Sequence, residues 1–188
     1  MKILITLVAL LSSVTAHLAA QTPVQLTPEE LALMEAAYAG KLDEVRRLVL
    51  DGTTVDVIDE ERRTPLMFAA FNGHAPVAEY LLDAGAEIDA KDSSGRPALM
   101  YAASGPFVET VGLLLKRGAD VNVQGTLEGF TPLMTAAAEG LADVVRILLV
   151  ARADRDIRDK DGDTALTFAK QNGHSEVAAL LENPPASE

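Results

Sequence analysis

A short apolar phrase returns along the chain at nearly constant spacing. It reads TPLMFAA at 64–70, PALMYAA at 97–103, TPLMTAA at 131–137 and TALTFA at 164–169. The leucines that align these phrases are Leu33, Leu66, Leu99, Leu133 and Leu166, which lie 33 or 34 residues apart. A fixed period in this range predicts stacked supersecondary units, each of which buries its apolar face only against its neighbours.

One repeat indicates how every unit is built. A first helix should begin at Thr64-Pro65, because threonine caps free amide groups and proline is tolerated at the first helical position. It is predicted to stop near Asn72-Gly73, and a second helix is predicted from about Pro76 to Gly85. Residues 86–95 are rich in turn formers and predict a hairpin-like loop. The predicted fold class is therefore all-α.

The motifs of this unit resemble those of the ankyrin repeat family. The family phrase T-P-L-H-x-A-A appears at 64–70 and 131–137, with methionine in place of histidine. Its N-G-H-x-x-V motif appears at 72–77 and 172–177, and its L-L-x-x-G-A-D-V-N motif at 114–122. The resemblance implies an ankyrin repeat solenoid of about five helix-turn-helix repeats with hairpin-like loops.

The resemblance covers almost the whole chain, and we take residues 21–183 as one ankyrin repeat domain. Its first unit opens with Thr27 and Glu30, which predict a capping box. Its last unit ends where Asn183 is followed by two prolines that cannot continue a helix. Residues 184–188 are predicted to form a disordered tail. The predicted repeats are approximately 27–59, 60–92, 93–126, 127–159 and 160–183.

The N-terminal residues have the pattern of a secretory signal peptide. Lys2 supplies a positive start, residues 3–11 form an apolar run, and small residues follow. Residues 1–20 are therefore predicted to be a signal peptide that is cleaved after Ala16 or Ala20. The apolar run is shorter than the roughly 20 residues that span a membrane, so no stable membrane insertion is expected after cleavage.

The cysteine content and the net charge limit the compartments and the classes of partner that we expect for this chain. The chain contains no cysteine, so its fold must be stable without disulfides. An exported protein without disulfides is expected in the bacterial periplasm, and secretion from the cell is the alternative. The net charge of −12 disfavours nucleic acid and anionic membrane surfaces. The negative charge favours another protein with a basic face as the partner. The chain itself is expected to be a monomer that resembles small exported bacterial ankyrin repeat proteins.

Three departures from the family pattern suggest a structural or a functional role. The loop at 124–129 has one residue more than its counterparts, which makes it a candidate specificity element. Arg152 occupies the position where the other units place a helix-ending glycine. Methionine replaces the family histidine in the repeated phrase, and we interpret these side chains as packing filler rather than copper ligands. The methionines are Met34, Met67, Met100 and Met134.

No catalytic, cofactor-binding or metal-binding residue is predicted, so the chain is not expected to be an enzyme or to need a cofactor. His74 and His174 stand where ankyrin repeats place a structural histidine in a turn. The segment 159–163 is similar to a calcium loop, but Phe168 occupies the position of the required bidentate glutamate.

Partner-binding residues are transferred from the family by register. In ankyrin repeats the contact positions are the loop tips and the exposed face of the first helix of each unit. Exposed aromatic and arginine side chains at such positions are common anchors of protein interfaces. The candidate partner-binding residues are Tyr38, Arg63, Phe71, Arg96, Leu127, Glu128 and Phe130.

These features lead to one functional hypothesis and three alternatives. The leading hypothesis is a non-enzymatic protein-protein interaction module in the periplasm that binds and regulates or inhibits an exported enzyme. The alternatives are a stress-protection protein, an accessory protein for metal or peroxide handling, and a secreted effector.

Overall fold

The computed structural model describes residues 25–183, and within that range the chain forms ten helices in five antiparallel pairs. No strand occurs among these residues, and consecutive turns connect one pair to the next. The all-α repeat architecture is confirmed. The predicted signal peptide and C-terminal tail lie outside the described residues. The helices are α1 Pro28–Tyr38, α2 Leu42–Leu50, α3 Pro65–Phe71, α4 Ala75–Asp83, α5 Ala98–Ala102, α6 Val108–Lys116, α7 Pro132–Ala138, α8 Ala142–Val150, α9 Ala165–Gln171 and α10 Ser175–Glu182.

Threonine caps begin most of the inner helices, which are the first helix of each pair. Thr64 Oγ1 accepts a hydrogen bond from the Met67 amide at 3.3 Å. Thr131 makes the same contact with Met134 at 3.2 Å. In α1 the predicted capping box forms, because the Thr27 amide also donates to Glu30 Oε2 at 2.8 Å. Each cap satisfies an amide that has no partner within the helix.

The core is a continuous column of small and aliphatic side chains. Successive inner helices pack against one another, and so do successive outer helices. The alanines of the repeated phrase, such as Ala70 and Ala137, are fully buried between layers, and Leu99 and Leu114 are buried beside them. Small side chains let neighbouring helices approach closely, while each leucine removes apolar surface from water. The four methionines of the phrase are also buried.

Polar side chains fasten each turn to the layer before it. Asn72 Nδ2 donates to the Tyr38 carbonyl oxygen at 2.8 Å, and His74 Nε2 hydrogen-bonds the same oxygen at 3.0 Å. Asn172 and His174 repeat both contacts on the Ala138 carbonyl oxygen. The two histidines therefore hold loops together, as the family resemblance implies.

Backbone hydrogen bonds join the tips of the connecting loops into a ladder. The Ser93 amide donates to the Glu61 carbonyl at 2.8 Å, and the Thr126 amide donates to the Ser94 carbonyl at 2.8 Å. The Lys160 amide donates to the Glu128 carbonyl at 3.0 Å. This ladder keeps neighbouring loops in register without the family histidine that methionine replaces.

Two positions show how the chain accommodates its departures from the pattern. Arg152 adopts the left-handed conformation of the glycine it replaces, with φ of 64°. In the third unit the ring of Phe107 covers Gly73, as the His74 ring covers Gly40. A Cβ atom on Gly73 would overlap Phe107 Cδ1, so glycine is required there for close packing as well as for its φ of +69°.

We predict that Gly73→Ala destabilises the protein more than Gly85→Ala. Both glycines have positive φ, so both substitutions carry a backbone cost of about 1–2 kcal/mol. A Cβ at Gly85 meets open space, whereas a Cβ at Gly73 overlaps the Phe107 ring, which adds about 1–3 kcal/mol. Urea denaturation of the two variants measures the difference. Equal midpoints would show that the Phe107 ring moves aside freely.

Candidate functional site

Two adjoining clefts open between the inner helices and the loop tips. The larger has a volume of about 420 Å³ and is built from the second, third and fourth units. The smaller, of about 130 Å³, lies beside it toward the N-terminus. Phe71 and Tyr101 line both clefts, so the two form one continuous depression, which we call the aromatic groove. Its lining residues are Tyr38, Arg63, Met67, Phe68, Phe71, Ser94, Arg96, Met100, Tyr101, Ser104, Gly125, Leu127, Glu128, Phe130 and Thr135.

Helical spacing places two rows of side chains along the groove. Phe68 and Phe71 lie three residues apart on α3, and Tyr101 near the end of α5 has the same spacing to Ser104 in the turn that follows. Residues at i and i+3 share one face of a helix. The opposite face carries the leucine and alanines that pack between layers, so these rows remain on the open side.

Aromatic rings from neighbouring layers pair edge to face along the groove. The Tyr38 and Phe68 ring centroids are 6.1 Å apart at an interplanar angle of 77°, and those of Phe71 and Tyr101 are 6.2 Å apart at 84°. Phe130 and Phe168 pair at 5.0 Å and 68°. Five of the eight Phe and Tyr residues therefore line the groove, and a sixth, Phe168, packs against Phe130. Such pairs have favourable ring geometry beyond their buried area.

A buried carboxylate anchors the wall of the larger cleft. Asp92 is 5% exposed, and its Oδ2 accepts hydrogen bonds from the Tyr101 hydroxyl at 2.7 Å and from Arg96 Nε at 3.0 Å. Its Oδ1 accepts from the amides of Arg96 and Ser94, each at 2.8 Å. The Arg96 guanidinium lies over the Tyr101 ring, 4.9 Å from its centroid. These contacts satisfy the carboxylate and hold Arg96 and Tyr101 in place.

The same contacts shift two ionisation equilibria. Burial alone would raise the pKa of Asp92, but the Tyr101 hydroxyl, the Arg96 amide and the Arg96 charge outweigh it and lower that pKa. Burial, together with the hydrogen bond to the Asp92 carboxylate, raises the pKa of Tyr101 to about 12. Asp92 is therefore ionised and Tyr101 neutral at neutral pH.

Arg63 repeats this arrangement one layer earlier. Its Nη2 lies 2.6 Å from Asp59 Oδ2 and 3.0 Å from Glu61 Oε2. Its guanidinium stacks over the Phe68 ring at 5.0 Å. Hydrogen bonding to Asp59 raises the pKa of Arg63, since it favours the charged form. Both arginines of the groove are thus paired with carboxylates of their own loops.

The extra residue of the third loop is absorbed in an ordered turn. The Gly125 amide donates to the Phe130 carbonyl at 2.9 Å, and the Gly129 amide donates to the Gly125 carbonyl at 3.1 Å. Gln124 Nε2 donates to the Gly129 carbonyl at 2.8 Å. The turn places Leu127 and Glu128 at the edge of the larger cleft, where both side chains are exposed.

All of the candidate partner-binding residues line the aromatic groove, but their environments differ. Tyr38, Phe71 and Leu127 are exposed by 51%, 45% and 60%. Phe130 is half-buried against Phe168. Glu128 is exposed, whereas Arg63 and Arg96 are held in the internal ion pairs described above. Their binding role remains a prediction.

Sequence reasoning missed Phe68, which lines the smaller cleft, and Tyr101, which lines both clefts. Each lies four residues after the first residue of its repeated phrase, and Phe168 has the same register. The signal was therefore a row of aromatic residues at one repeat position in a chain with few aromatics. Comparison of that position across the units would have found it.

The described residues contain no group of three or more histidine or acidic side chains placed to share a metal ion. In the segment similar to a calcium loop, Asp159 Oδ1 accepts from the amides of Asp161 and Asp163, which fixes a turn. None of the helices in residues 25–183 is long and apolar enough to cross a membrane.

Comparisons with known proteins agree with this architecture. A family model described as ankyrin repeats (3 copies) matches residues 11–92, 33–125 and 99–186, which together cover most of the chain. The matched windows overlap because each covers several successive repeats.

Individual relatives match over short segments. The E3 ubiquitin-protein ligase hecd-1 of Caenorhabditis elegans is 46% identical over 54 residues, which is 27% of this chain and 2% of that protein. The probable E3 ubiquitin-protein ligase XBOS33 of Oryza sativa subsp. japonica is 45% identical over 51 residues, which is 27% of this chain and 10% of that protein. This chain thus spans a small fraction of either relative, and the similarity lies in the repeats.

We predict that the stability gained from Asp92 disappears at low pH. A carboxyl group whose folded pKa is lowered contributes stability above its ordinary pKa of 3.8, and that contribution is lost as pH falls through the folded pKa. Asp92→Asn should therefore be less stable than the wild type by about 2–4 kcal/mol at pH 7, with a gap that narrows below pH 3.8. Denaturant unfolding at several pH values measures it.

Asp161→Asn, at an exposed loop position, is the control for this experiment. It should stay within about 0.5 kcal/mol of the wild type at pH 7. A gap between Asp92→Asn and the wild type that stays constant down to low pH would contradict the lowered pKa.

Proposed function

Because this chain belongs to the ankyrin repeat family, whose repeats are protein-protein interaction modules, we propose that it captures a partner protein in the aromatic groove. Proteins of this family generally act by binding rather than by catalysis. In its full form, the proposal is that the protein binds and regulates or inhibits an exported enzyme in the bacterial periplasm.

The exposed apolar side chains of the groove are the observation that supports capture. Phe71 and Leu127 both line the larger cleft, and their side chains are 45% and 60% exposed. The half-buried rings of Tyr101 and Phe130 complete the cleft. Apolar anchors that enter such pockets commonly dominate the energy of protein interfaces.

The groove is also built to keep its shape before a partner arrives. Layer packing fixes the inner helices, the backbone ladder fixes the loop tips, and the Asp92 contacts hold Arg96 and Tyr101. A preorganised site loses little conformational entropy on binding, so more of the contact energy appears as affinity.

The periplasmic part of the proposal rests on the sequence. Residues 1–20 have the order of charge, apolar run and small residues that directs export, and the absence of cysteine suits a bacterial envelope protein. Stress protection, metal or peroxide handling and secretion as an effector are the alternative roles.

We predict that a double variant, Phe71→Ala with Leu127→Ala, loses partner capture while retaining its fold. Both side chains are largely exposed, so their removal should cost only about 1 kcal/mol, mostly from the Phe71–Tyr101 ring contact, and leave the fold intact. When immobilised and exposed to periplasmic extract, the variant should retain less than about one tenth of the partner that the wild type retains, as expected for the loss of two anchor residues. Quantitative mass spectrometry of the retained proteins measures this.

Leu50→Ala is the matched control for the capture experiment. Leu50 is 81% exposed at the end of the outer helix α2, away from the aromatic groove. This variant should capture the partner as the wild type does. If the groove variant and Leu50→Ala retain the same proteins in equal amounts, the groove is not the binding surface.

Export gives a separate prediction. The full chain expressed in a double-membrane bacterium should appear in the periplasmic fraction with a new N-terminus at His17 or Gln21. Fractionation and N-terminal sequencing test this directly. Cytoplasmic protein that retains its first residues would reject the periplasmic role without affecting the proposal of partner binding.

A further inference from the structure

We propose that the aromatic groove selects a basic partner segment, an extended stretch in which one large apolar side chain lies between lysine or arginine residues. The apolar side chain enters the larger cleft, and the basic residues meet the acidic loop tips. This inference rests on the proposed function, because it names the chemistry of the partner that the same groove would capture.

The larger cleft favours an apolar anchor. Its volume of about 420 Å³ is within the range of protein ligand sites and is ample for one aromatic or leucine side chain. The rings of Phe71, Tyr101 and Phe130 and the side chain of Leu127 surround it. An apolar group placed there loses its water contacts and gains aromatic neighbours.

The arginines of the groove offer little attraction to an acidic partner. Arg63 is neutralised by Asp59 and Glu61, at 2.6 and 3.0 Å. Arg96 is neutralised by the buried Asp92 at 3.0 Å, with its Nε and Nη2 donors engaged. An acidic peptide that competed for these donors would leave a buried carboxylate without its partners, which is unfavourable.

The loop tips present carboxylates instead. Glu60 and Glu128 are exposed on the first and third loops, and neither has an ion-pair partner among residues 25–183. Of the basic residues here, Lys160 donates its ammonium to the Thr126 carbonyl oxygen at 2.7 Å. Acidic residues outnumber basic ones along the row of tips. They are Asp59, Glu60, Glu61, Asp92, Glu128, Asp159, Asp161 and Asp163, against Arg62, Arg63, Lys91, Arg96, Arg158 and Lys160.

The charge of the whole chain acts in the same direction. A net charge of −12 attracts cationic segments over distances of about a Debye length and speeds their encounter. Such attraction supplies selectivity and association rate, while the apolar anchor supplies most of the affinity. A basic segment with an apolar anchor therefore matches both surfaces of the groove.

Tryptophan peptides test this chemistry directly, because the protein itself has no tryptophan. The first probe is a synthetic peptide with one tryptophan flanked on both sides by lysines in a glycine-serine background. The second carries glutamate in place of every lysine. We expect the lysine peptide to show a blue-shifted, more anisotropic tryptophan emission on titration with the protein. It should bind at least about tenfold more tightly than the glutamate peptide at low salt.

Two variants separate the anchor from the charge. Phe71→Ala should weaken binding of the lysine peptide by about tenfold at every salt concentration. Glu128→Lys should weaken it several-fold at low salt and much less at high salt, since screening removes the charge contribution. Glu109→Lys makes the same change of charge at an exposed site on the outer helix α6 and should leave binding within about twofold of the wild type.

Three outcomes would overturn the inference. They are equal or tighter binding of the glutamate peptide, no change in tryptophan emission with the lysine peptide, and self-association that Phe71→Ala abolishes, which would make a second copy the occupant. Under the first two, groove-dependent capture from periplasmic extract would still support the proposed function. If capture from the extract did not depend on the groove residues, the proposed function itself would be rejected.

Discussion

Burial of each layer's apolar face by the next layer is the constraint on which the rest of this molecule depends. Ala70 and Ala137 are fully buried between inner helices, and leucines such as Leu99 and Leu114 fill the space beside them. A single repeat could not bury these faces from water, so the units must stack in register. The close approach that alanine permits sets the spacing of the inner helices, which is about 8–10 Å for packed helices.

The same spacing builds the aromatic groove. Side chains at equivalent positions of adjacent layers come close enough for ring contact, as the Phe71–Tyr101 and Phe130–Phe168 pairs show at 6.2 and 5.0 Å. The loops then supply the second wall, held by their backbone ladder. Stability and the candidate binding surface thus arise from one arrangement. The packed face of each inner helix uses small residues, and the open face is free to carry rings.

Much of this arrangement could be predicted from residues that act locally. Thr64 and Pro65 mark the start of a helix through local capping, and the recurrence of the phrase predicts the stack. The position of each candidate partner-binding residue within its repeat placed these residues along one surface. It did not reveal that Phe130 is half-buried, because its cover is Phe168 from the following unit. Nor did it reveal the role of Tyr101, whose hydroxyl meets Asp92 only after the loop turns back on the helix.

The sequence by itself determined the helix starts, the period, the family and the row of positions that faces the open side. Those features follow from capping, helical periodicity and repetition, which act between residues a few positions apart or at one fixed interval. The tertiary structure decided which of those side chains stay exposed and which charges are already matched. The charge of Arg96 is balanced by the Asp92 carboxylate 3.0 Å away, and Phe71 stays 45% exposed although its ring contacts Tyr101 edge to face. Exposure and charge pairing depend on distances between separate segments, and those distances exist only once the layers have packed.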